Sequence, residues 1–195
     1  MSFNPEFEIG LWNAWILMLF VIFYNILPYI LSKIKPIYNE ILKKASGPDI
    51  PLDKTKKRLG NILSTFFILP IIYSFFLPIK ISSIWFFIGL IIYLIGLIIG
   101  IFAWFDFYTT AVDKLVTKGI YRVSRNPMYL CIVLIFTGTG IACVSWLFLL
   151  LTIIFTILSH ILVRSEEHFC LNTYGQDYRD YLNRTPRWIG LPKNK

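Results

Sequence analysis

Five long apolar runs constrain what this chain can fold into. Runs of about 17–25 apolar residues are typical of helices that cross a membrane, since a helix satisfies its own backbone hydrogen bonds. The chain is 56% hydrophobic and 17% aromatic, well above a soluble domain. The sequence therefore predicts an all-α integral membrane protein of about five transmembrane helices, at Leu11–Leu31, Ile62–Ile79, Ile84–Phe105, Tyr129–Val144 and Ser145–Val163.

Little polar sequence remains outside these runs, so we expect one membrane domain over residues 1–195. The first run follows acidic residues and has no small-residue cleavage site, which favours a spanning helix over a signal peptide.

Residues 33–46 place apolar side chains at helical spacing among lysines, which predicts an interfacial helix. A polar linker to Leu59 is expected to follow it. The fourth run is short and is expected to tilt or to form a tight hairpin with the fifth.

The net charge of +8 is distributed along the chain in a way that indicates orientation rather than nucleic-acid binding. Eighteen of the 19 Lys and Arg residues fall in the connections 32–61 and 106–128 or in the tail from Arg164, and Lys80 is the exception. Five spans place these segments on one side of the membrane. The positive-inside rule then predicts an external N-terminus and a cytoplasmic C-terminus.

Two polar islands of opposite charge meet the ends of apolar runs on that side. One is Gly119–Tyr129, which contains Arg122 and Arg125, and the other is Arg164–Glu167. Carboxylates at a helix C-terminus oppose the macrodipole, so the glutamate pair needs a cation: Arg125, Arg164 or a ligand amine. A pocket for a zwitterionic ligand is one interpretation. Topological anchoring by the arginines and a solvated helix end are the alternatives.

The break at Asn126-Pro127 makes backbone groups available beside the fourth run, because the residue before proline is pushed to extended geometry. Tyr121 and Tyr129 flank the break and offer cation–π attraction to a cationic ligand, or they belong to an interfacial aromatic belt. No metal site is expected, since no His or Cys has a partner at ligand spacing. Free thiols are expected at Cys131, Cys143 and Cys170.

Together these motifs resemble the membrane-embedded isoprenylcysteine carboxyl methyltransferases and phosphatidylethanolamine methyltransferases. The family signature is Leu-Val-x-x-Gly-x-Tyr, then Arg-His-Pro-x-Tyr, then a Glu-Glu pair after the last span. The chain reads Leu115-Val116-Thr117-Lys118-Gly119-Ile120-Tyr121, then Arg125-Asn126-Pro127-Met128-Tyr129, then Glu166-Glu167. The tail from Tyr174 through Arg187 also looks like the family's ending. The resemblance covers residues 85–190 and leaves residues 1–84 as a variable N-terminal part.

The resemblance implies an S-adenosylmethionine-dependent enzyme that methylates a lipophilic acceptor, a lipid or a prenylated compound, at the cytoplasmic membrane face. Glu166, with Glu167 beside it, is expected to hold the cofactor amine, and Arg125 or nearby amides the cofactor carboxylate. The remaining residues expected to line the cofactor pocket are Leu115, Val116, Tyr121, Asn126, Pro127, Met128 and Tyr129.

Two departures from the family pattern bear on the acceptor. Asn126 replaces the usual histidine. Its side chain can donate and accept hydrogen bonds, but unlike histidine it does not titrate near neutral pH. The carboxyl methyltransferases carry a substrate-binding arginine at the position of Leu162. Arg164 is the substitute candidate for binding substrate, but it lies roughly 200° around the helix from Leu162. We therefore expect little activity on a prenylcysteine carboxylate and a preference for an amine or hydroxyl lipid.

Two other functions remain open from the sequence. A sterol-type membrane reductase that uses NADPH resembles this superfamily in its C-terminal part, although such chains are longer. A membrane scaffold without cofactor is the second alternative. Binding of S-adenosylmethionine, of NADPH or of neither would separate the three.

Overall fold

The structure, a computed structural model, describes residues 10–34, 39–40, 54–111 and 114–191. Within these ranges the chain is all-helical and contains no β-strand, which confirms the predicted class. A short 3₁₀ helix at Gly119–Arg122 lies between the third and fourth helices. The five α-helices are α1 (Trp15–Ile34), α2 (Lys54–Ser74), α3 (Ile84–Tyr108), α4 (Pro127–Ala142) and α5 (Trp146–Arg184).

Three of these helices, α1, α3 and α5, are long and apolar enough to cross a membrane by length and composition. The other two, α2 and α4, contain shorter apolar segments. Helix α4 has 16 residues, roughly 24 Å at the rise of an α-helix, against a hydrocarbon core of about 30 Å. A crossing of the membrane by α4 would therefore need its neighbours or local thinning of the bilayer.

The predicted boundaries of the second run are wrong at both ends. Helix α2 begins at Lys54, within the segment predicted as a polar linker, and ends at Ser74. Pro78 therefore lies in the α2–α3 connection, whereas Pro70 lies inside the helix as expected. The basic start of α2 is helical because lysine and arginine are good helix formers. The predicted interfacial helix over 33–46 falls almost entirely outside the described residues.

Helices α3 and α4 pack more extensively on each other than any other pair. Glycines allow this approach: a Cβ on Gly89 would collide with the backbone of Gly138 and Ala142, and one on Gly138 would lie 2.5 Å from Tyr93 N. Small residues at this spacing in an apolar helix predict close helix packing, and the structure confirms it, since Gly96 contacts α4 in the same way and Gly100 faces Cys131 and Phe20.

A hairpin of three residues joins α4 to α5. A tight hairpin with the fifth run was one of the two expectations for the short fourth run. The Ser145 amide donates to the Gly140 carbonyl at 2.9 Å, and the Ser145 hydroxyl caps α5 by accepting from Phe148 N. At the same end of the bundle, Ala14 N donates to Leu77 O at 2.8 Å. This bond ties the start of α1 to the α2–α3 connection.

Helix α5 has 39 residues, and its continuous part before Gly175 is roughly 44 Å long at 1.5 Å per residue, which exceeds a hydrocarbon core of about 30 Å. The glycine after Tyr174 predicts the end of a helix, because glycine is favoured at that position, and Gly175 does interrupt the helix with φ 55° and ψ −121°. After Arg184 the chain leaves the helix and returns along α5. This return brings the tail against the connection between α3 and α4, where the predicted site lies.

Candidate functional site

The loop that contains the first motif is held at its glycine by a buried aspartate. Asp106, near the end of α3, accepts a hydrogen bond from Ile120 N at 2.9 Å through its carboxylate. Gly119 has φ 55°, and a Cβ there would collide with that carboxylate. Only glycine meets both conditions without strain. Tyr121, two residues after Gly119, is buried, and its carbonyl accepts from the Tyr181 hydroxyl at 2.7 Å.

A network of two arginines and one asparagine surrounds the Glu167 carboxylate, which is only 5% exposed. Arg125 Nε lies 3.1 Å from Glu167 Oε1, and Arg187 Nη2 lies 2.6 Å from Oε2. Arg187 Nε adds bonds of 3.1 and 3.0 Å to the two oxygens, and Asn126 Nδ2 donates to Oε1 at 3.3 Å. Arg125, one of the three cation partners considered from sequence, is therefore a partner of this pair.

The C-terminal tail completes the network through its backbone. Arg125 N donates to Pro186 O at 3.0 Å, and Gly190 N donates to Val123 O at 3.2 Å. Asn126 Nδ2 also donates to the Arg187 carbonyl at 3.2 Å. The chain just before α4 and the returning tail thus form one hydrogen-bonded unit.

The tail is also fixed to α5 by an aromatic pair. Trp188 Nε1 donates to His160 Nδ1 at 3.2 Å, and the two rings stack at a centroid distance of 5.9 Å. His160 therefore has a structural partner. Among the described residues no group of His, Cys, Asp or Glu is arranged to hold a metal ion.

Glu166, adjacent to Glu167, has different surroundings. Its Oε1 accepts from the Tyr129 hydroxyl at 2.7 Å, and no ion pair joins it to a cation among the described residues. The side chain is exposed by area, yet surrounding protein atoms enclose it closely enough that removal from water raises the pKa of Glu166 above its ordinary 4.5. The charge of Glu167 adds to this rise, and the Tyr129 hydrogen bond opposes it.

The structure brings most of the predicted pocket residues together in two groups. Val116, Tyr121 and Met128 belong to a small apolar cluster with Ala103, beside the polar network of Arg125, Asn126 and Glu167. Pro127 is the first residue of α4, with Asn126 at its N-cap. Leu115 is half-buried.

Arg164 stands apart from these groups. It is exposed, whereas Leu162 is half-buried and packs against the main core. The two side chains thus face different surroundings, as the helical spacing predicts.

Sequence reasoning missed two residues of this region. Asp106 carries a signal that was overlooked, since an acidic residue at the C-terminal end of an apolar helix is unfavourable unless it has a partner. Arg187 was noted as part of the tail, but nothing local in the sequence indicates that it reaches Glu167, 20 positions earlier.

The comparison with protein families decides what kind of protein this is. The model of the phospholipid methyltransferase family, PEMT, matches residues 79–177, just over half of the chain. The chain belongs to this family. The match contains both motifs, the Glu166-Glu167 pair and helices α3 and α4. A comparison with curated proteins found no match.

Membership in the phospholipid methyltransferase family confirms the resemblance inferred from the motifs. It makes the chain a membrane methyltransferase, in agreement with its apolar helices. The family therefore favours methyl transfer over the reductase and scaffold alternatives.

Proposed function

We propose that this phospholipid methyltransferase family member transfers a methyl group from S-adenosylmethionine to a lipid acceptor at the cytoplasmic membrane face. The observation that carries this proposal is the difference between the two adjacent glutamates. Glu167 is neutralised by Arg125 and Arg187, whereas the partner of Glu166 among the described residues is the Tyr129 hydroxyl. An enclosed carboxylate without a cation is suited to bind a ligand ammonium.

The chemistry of the surrounding residues fits the other parts of this cofactor. Glu166 would hold its amine, and Tyr129 would orient Glu166. The Arg125 guanidinium uses Nε for Glu167 and Nη1 for the Leu182 carbonyl, so Nη2 is the nitrogen suited to the cofactor carboxylate. Val116, Met128 and Tyr121 supply the apolar wall, with Leu115 and Pro127 beside them. Bound S-adenosylmethionine would supply an electrophilic methyl group on its sulfonium.

The family's name points to a phospholipid as the acceptor. Arg164 lies on a different face of α5 from Leu162, and this supports a lipid rather than a prenylcysteine carboxylate. A carboxylate acceptor needs a cation at the reacting end, and the side chain at the family's usual position is the apolar Leu162. An amine or hydroxyl of a lipid headgroup does not need that cation. These residues would then act mainly by positioning the reactants and excluding water.

The arrangement in the membrane is part of the same proposal. Five spans with an external N-terminus place Glu166, Arg125 and the tail on the cytoplasmic side, where eighteen of the 19 basic residues also lie. Residues 1–195 form one membrane domain, of which 85–190 is the methyltransferase core and 1–84 the variable part.

Calorimetry of S-adenosylmethionine binding to the purified protein tests this proposal with Glu166→Gln. The substitution keeps the acceptor for Tyr129 but removes the charge, so about 1.5–3 kcal/mol of charge-assisted binding is lost, a rise in Kd of roughly 10- to 150-fold. The matched control is Asp177→Ala, which removes an exposed carboxylate from the same helix and should leave Kd unchanged.

Two results would contradict the proposal in different ways. An unchanged Kd in Glu166→Gln would show that the carboxylate does not hold the cofactor. Absence of binding by the unmodified protein would reject S-adenosylmethionine itself. Methylation of a total lipid extract with the labelled cofactor then identifies the acceptor by mass spectrometry.

A further inference from the structure

Two side chains from different helices hold consecutive residues of the motif loop, the segment 115–126 that leads into α4. The Asp106 carboxylate on α3 accepts a hydrogen bond from Ile120 N at 2.9 Å. The Tyr181 hydroxyl on α5 donates to the Tyr121 carbonyl at 2.7 Å. We call Asp106 and Tyr181 the loop clamp. Neither residue is among those predicted to line the cofactor pocket.

Asp106 occupies a position that disfavours a carboxylate. It lies in the last turn of α3, where the helix macrodipole opposes a negative charge, and it is only 9% exposed. In the described part of the chain no cation pairs with it, and its carboxylate accepts from the loop amide. A buried carboxylate needs such a donor. Asp106 is therefore matched to the motif loop.

The motif loop is shaped to receive this carboxylate. Gly119 has φ 55°, and a Cβ there would collide with Asp106, so glycine lets the backbone come close enough for the bond to Ile120 N. The 3₁₀ helix that follows packs against α3. Because the clamp bonds are at Ile120 N and Tyr121 O, they bracket the backbone of both residues. They therefore fix the position from which the Tyr121 side chain projects.

The face of α3 that carries the clamp also packs against the apolar wall of the proposed cofactor pocket. Ala103 precedes Asp106 by three positions, so the two lie on the same side of the helix. Ala103 forms a small apolar cluster with Val116 and Tyr121. A loop released from Asp106 would move Val116 and Tyr121 away from this face.

We propose that Asp106 and Tyr181 are positioning residues that hold the motif loop in the conformation that binds S-adenosylmethionine. They act through Val116 and Tyr121 and do not contact the cofactor themselves. Without the clamp the loop populates other conformations, and the apparent Kd rises as the binding-competent fraction falls. This inference rests on the proposed function and deepens it, since it names what sets cofactor affinity.

Calorimetry of S-adenosylmethionine binding to the full chain in detergent measures both Kd and the fraction of protein that binds. Asp106→Ala should raise Kd roughly 10-fold, since it removes a hydrogen bond to a charged group. Tyr181→Phe removes a neutral hydrogen bond and should raise Kd roughly 3-fold. Asp106→Asn keeps an acceptor oxygen for Ile120 N and should restore most of the affinity that Asp106→Ala loses.

A merely structural role for Asp106 gives a different result. Loss of folded protein lowers the fraction that binds and leaves the Kd of the remainder unchanged, and this outcome would overturn the inference. If Asp106→Ala does not fold, Tyr181→Phe decides, because it keeps its ring in place, and an unchanged Kd there overturns the clamp. The matched controls are Asp177→Ala, an exposed carboxylate, and Tyr29→Phe, a tyrosine that is 60% exposed. Both should bind as the unmodified protein does.

Hydrogen exchange without cofactor separates this inference from the proposed function. Peptides that cover 115–126 should exchange faster in Asp106→Ala than in the unmodified protein, while peptides from α1 should not change. Unaltered exchange in the loop would overturn the clamp. Faster exchange in a protein that binds no S-adenosylmethionine would support the hold on the loop and contradict the proposed function. Cofactor binding with the same Kd in Asp106→Ala would leave the proposed function intact and overturn the positioning role.

Discussion

Adjacent glutamates just beyond the C-terminal end of the proposed fifth span have opposite surroundings, and this difference organises the site. Successive residues of a helix point about 100° apart, so Glu167 faces the tail and the Arg125 segment while Glu166 faces Tyr129. Glu167 is satisfied by two guanidinium groups. Glu166 pairs with no cation in the part of the chain that the structure describes, and its pKa is raised because protein atoms replace water around it.

The raised pKa of Glu166 predicts a pH dependence of cofactor binding. The ligand ammonium needs the ionised carboxylate, so affinity is complete above that pKa and is lost as pH falls through it. Because the pKa lies above the ordinary 4.5, the loss should begin at a higher pH than for a solvated glutamate. Calorimetry of S-adenosylmethionine binding from neutral into mildly acidic buffer measures this. A similar decline in Glu166→Gln would assign the titration to another group.

Removing Arg187 should weaken the unit formed by the tail and the segment before α4. Arg187→Ala leaves buried Glu167 with Arg125 and Asn126 only, and we expect a loss of about 1–3 kcal/mol, measured as a lower thermal unfolding temperature in detergent. Arg184→Ala removes an exposed arginine of the same segment and serves as the control. Combining Arg187→Ala with Glu167→Gln should cost less than the sum of the two. Equal effects of the Arg184 and Arg187 variants would contradict this role.

Helices α3 and α4 act as one element because glycines let their backbones touch. Gly89 on α3 and Gly138 on α4 face each other across the contact, in the small-residue packing typical of membrane helices. The packing of α3 on α4 sets the position of the end of α3, at Tyr108, relative to the start of α4 at Pro127. The motif loop between them therefore has both of its ends held by the same helix pair.

Gly138→Ala should disrupt this contact. Its Cβ would meet backbone atoms of Tyr93 and Gly89 at 2.5–2.9 Å, which forces the helices apart and should destabilise the protein by roughly 1–3 kcal/mol. Gly60→Ala is the control, because nothing lies within 4 Å of a Cβ there and alanine favours the helix by up to about 1 kcal/mol. Thermal unfolding of the two variants in detergent measures the difference. A Gly138 variant as stable as the Gly60 variant would refute the close contact.

The charge asymmetry of the whole molecule predicts its orientation. Ser2→Cys should react with a membrane-impermeant maleimide in intact cells, and Lys195→Cys should react only after permeabilisation, in a background without Cys131, Cys143 and Cys170. The physical reason is that basic connections stay on the cytoplasmic side during insertion. Labelling of both positions from the same side would exclude five spans.

The sequence by itself determined the class of the protein, because long apolar runs admit only helices in a membrane and because the motif spacing identifies the family. The same local signals placed α3, α4 and the break at Gly175. They did not place the start of α2. The charged residues there predict a loop by their polarity, but they are also good helix formers. Only the tertiary structure decided which glutamate is neutralised, since Arg187 reaches Glu167 by a return of the chain that no local pattern encodes.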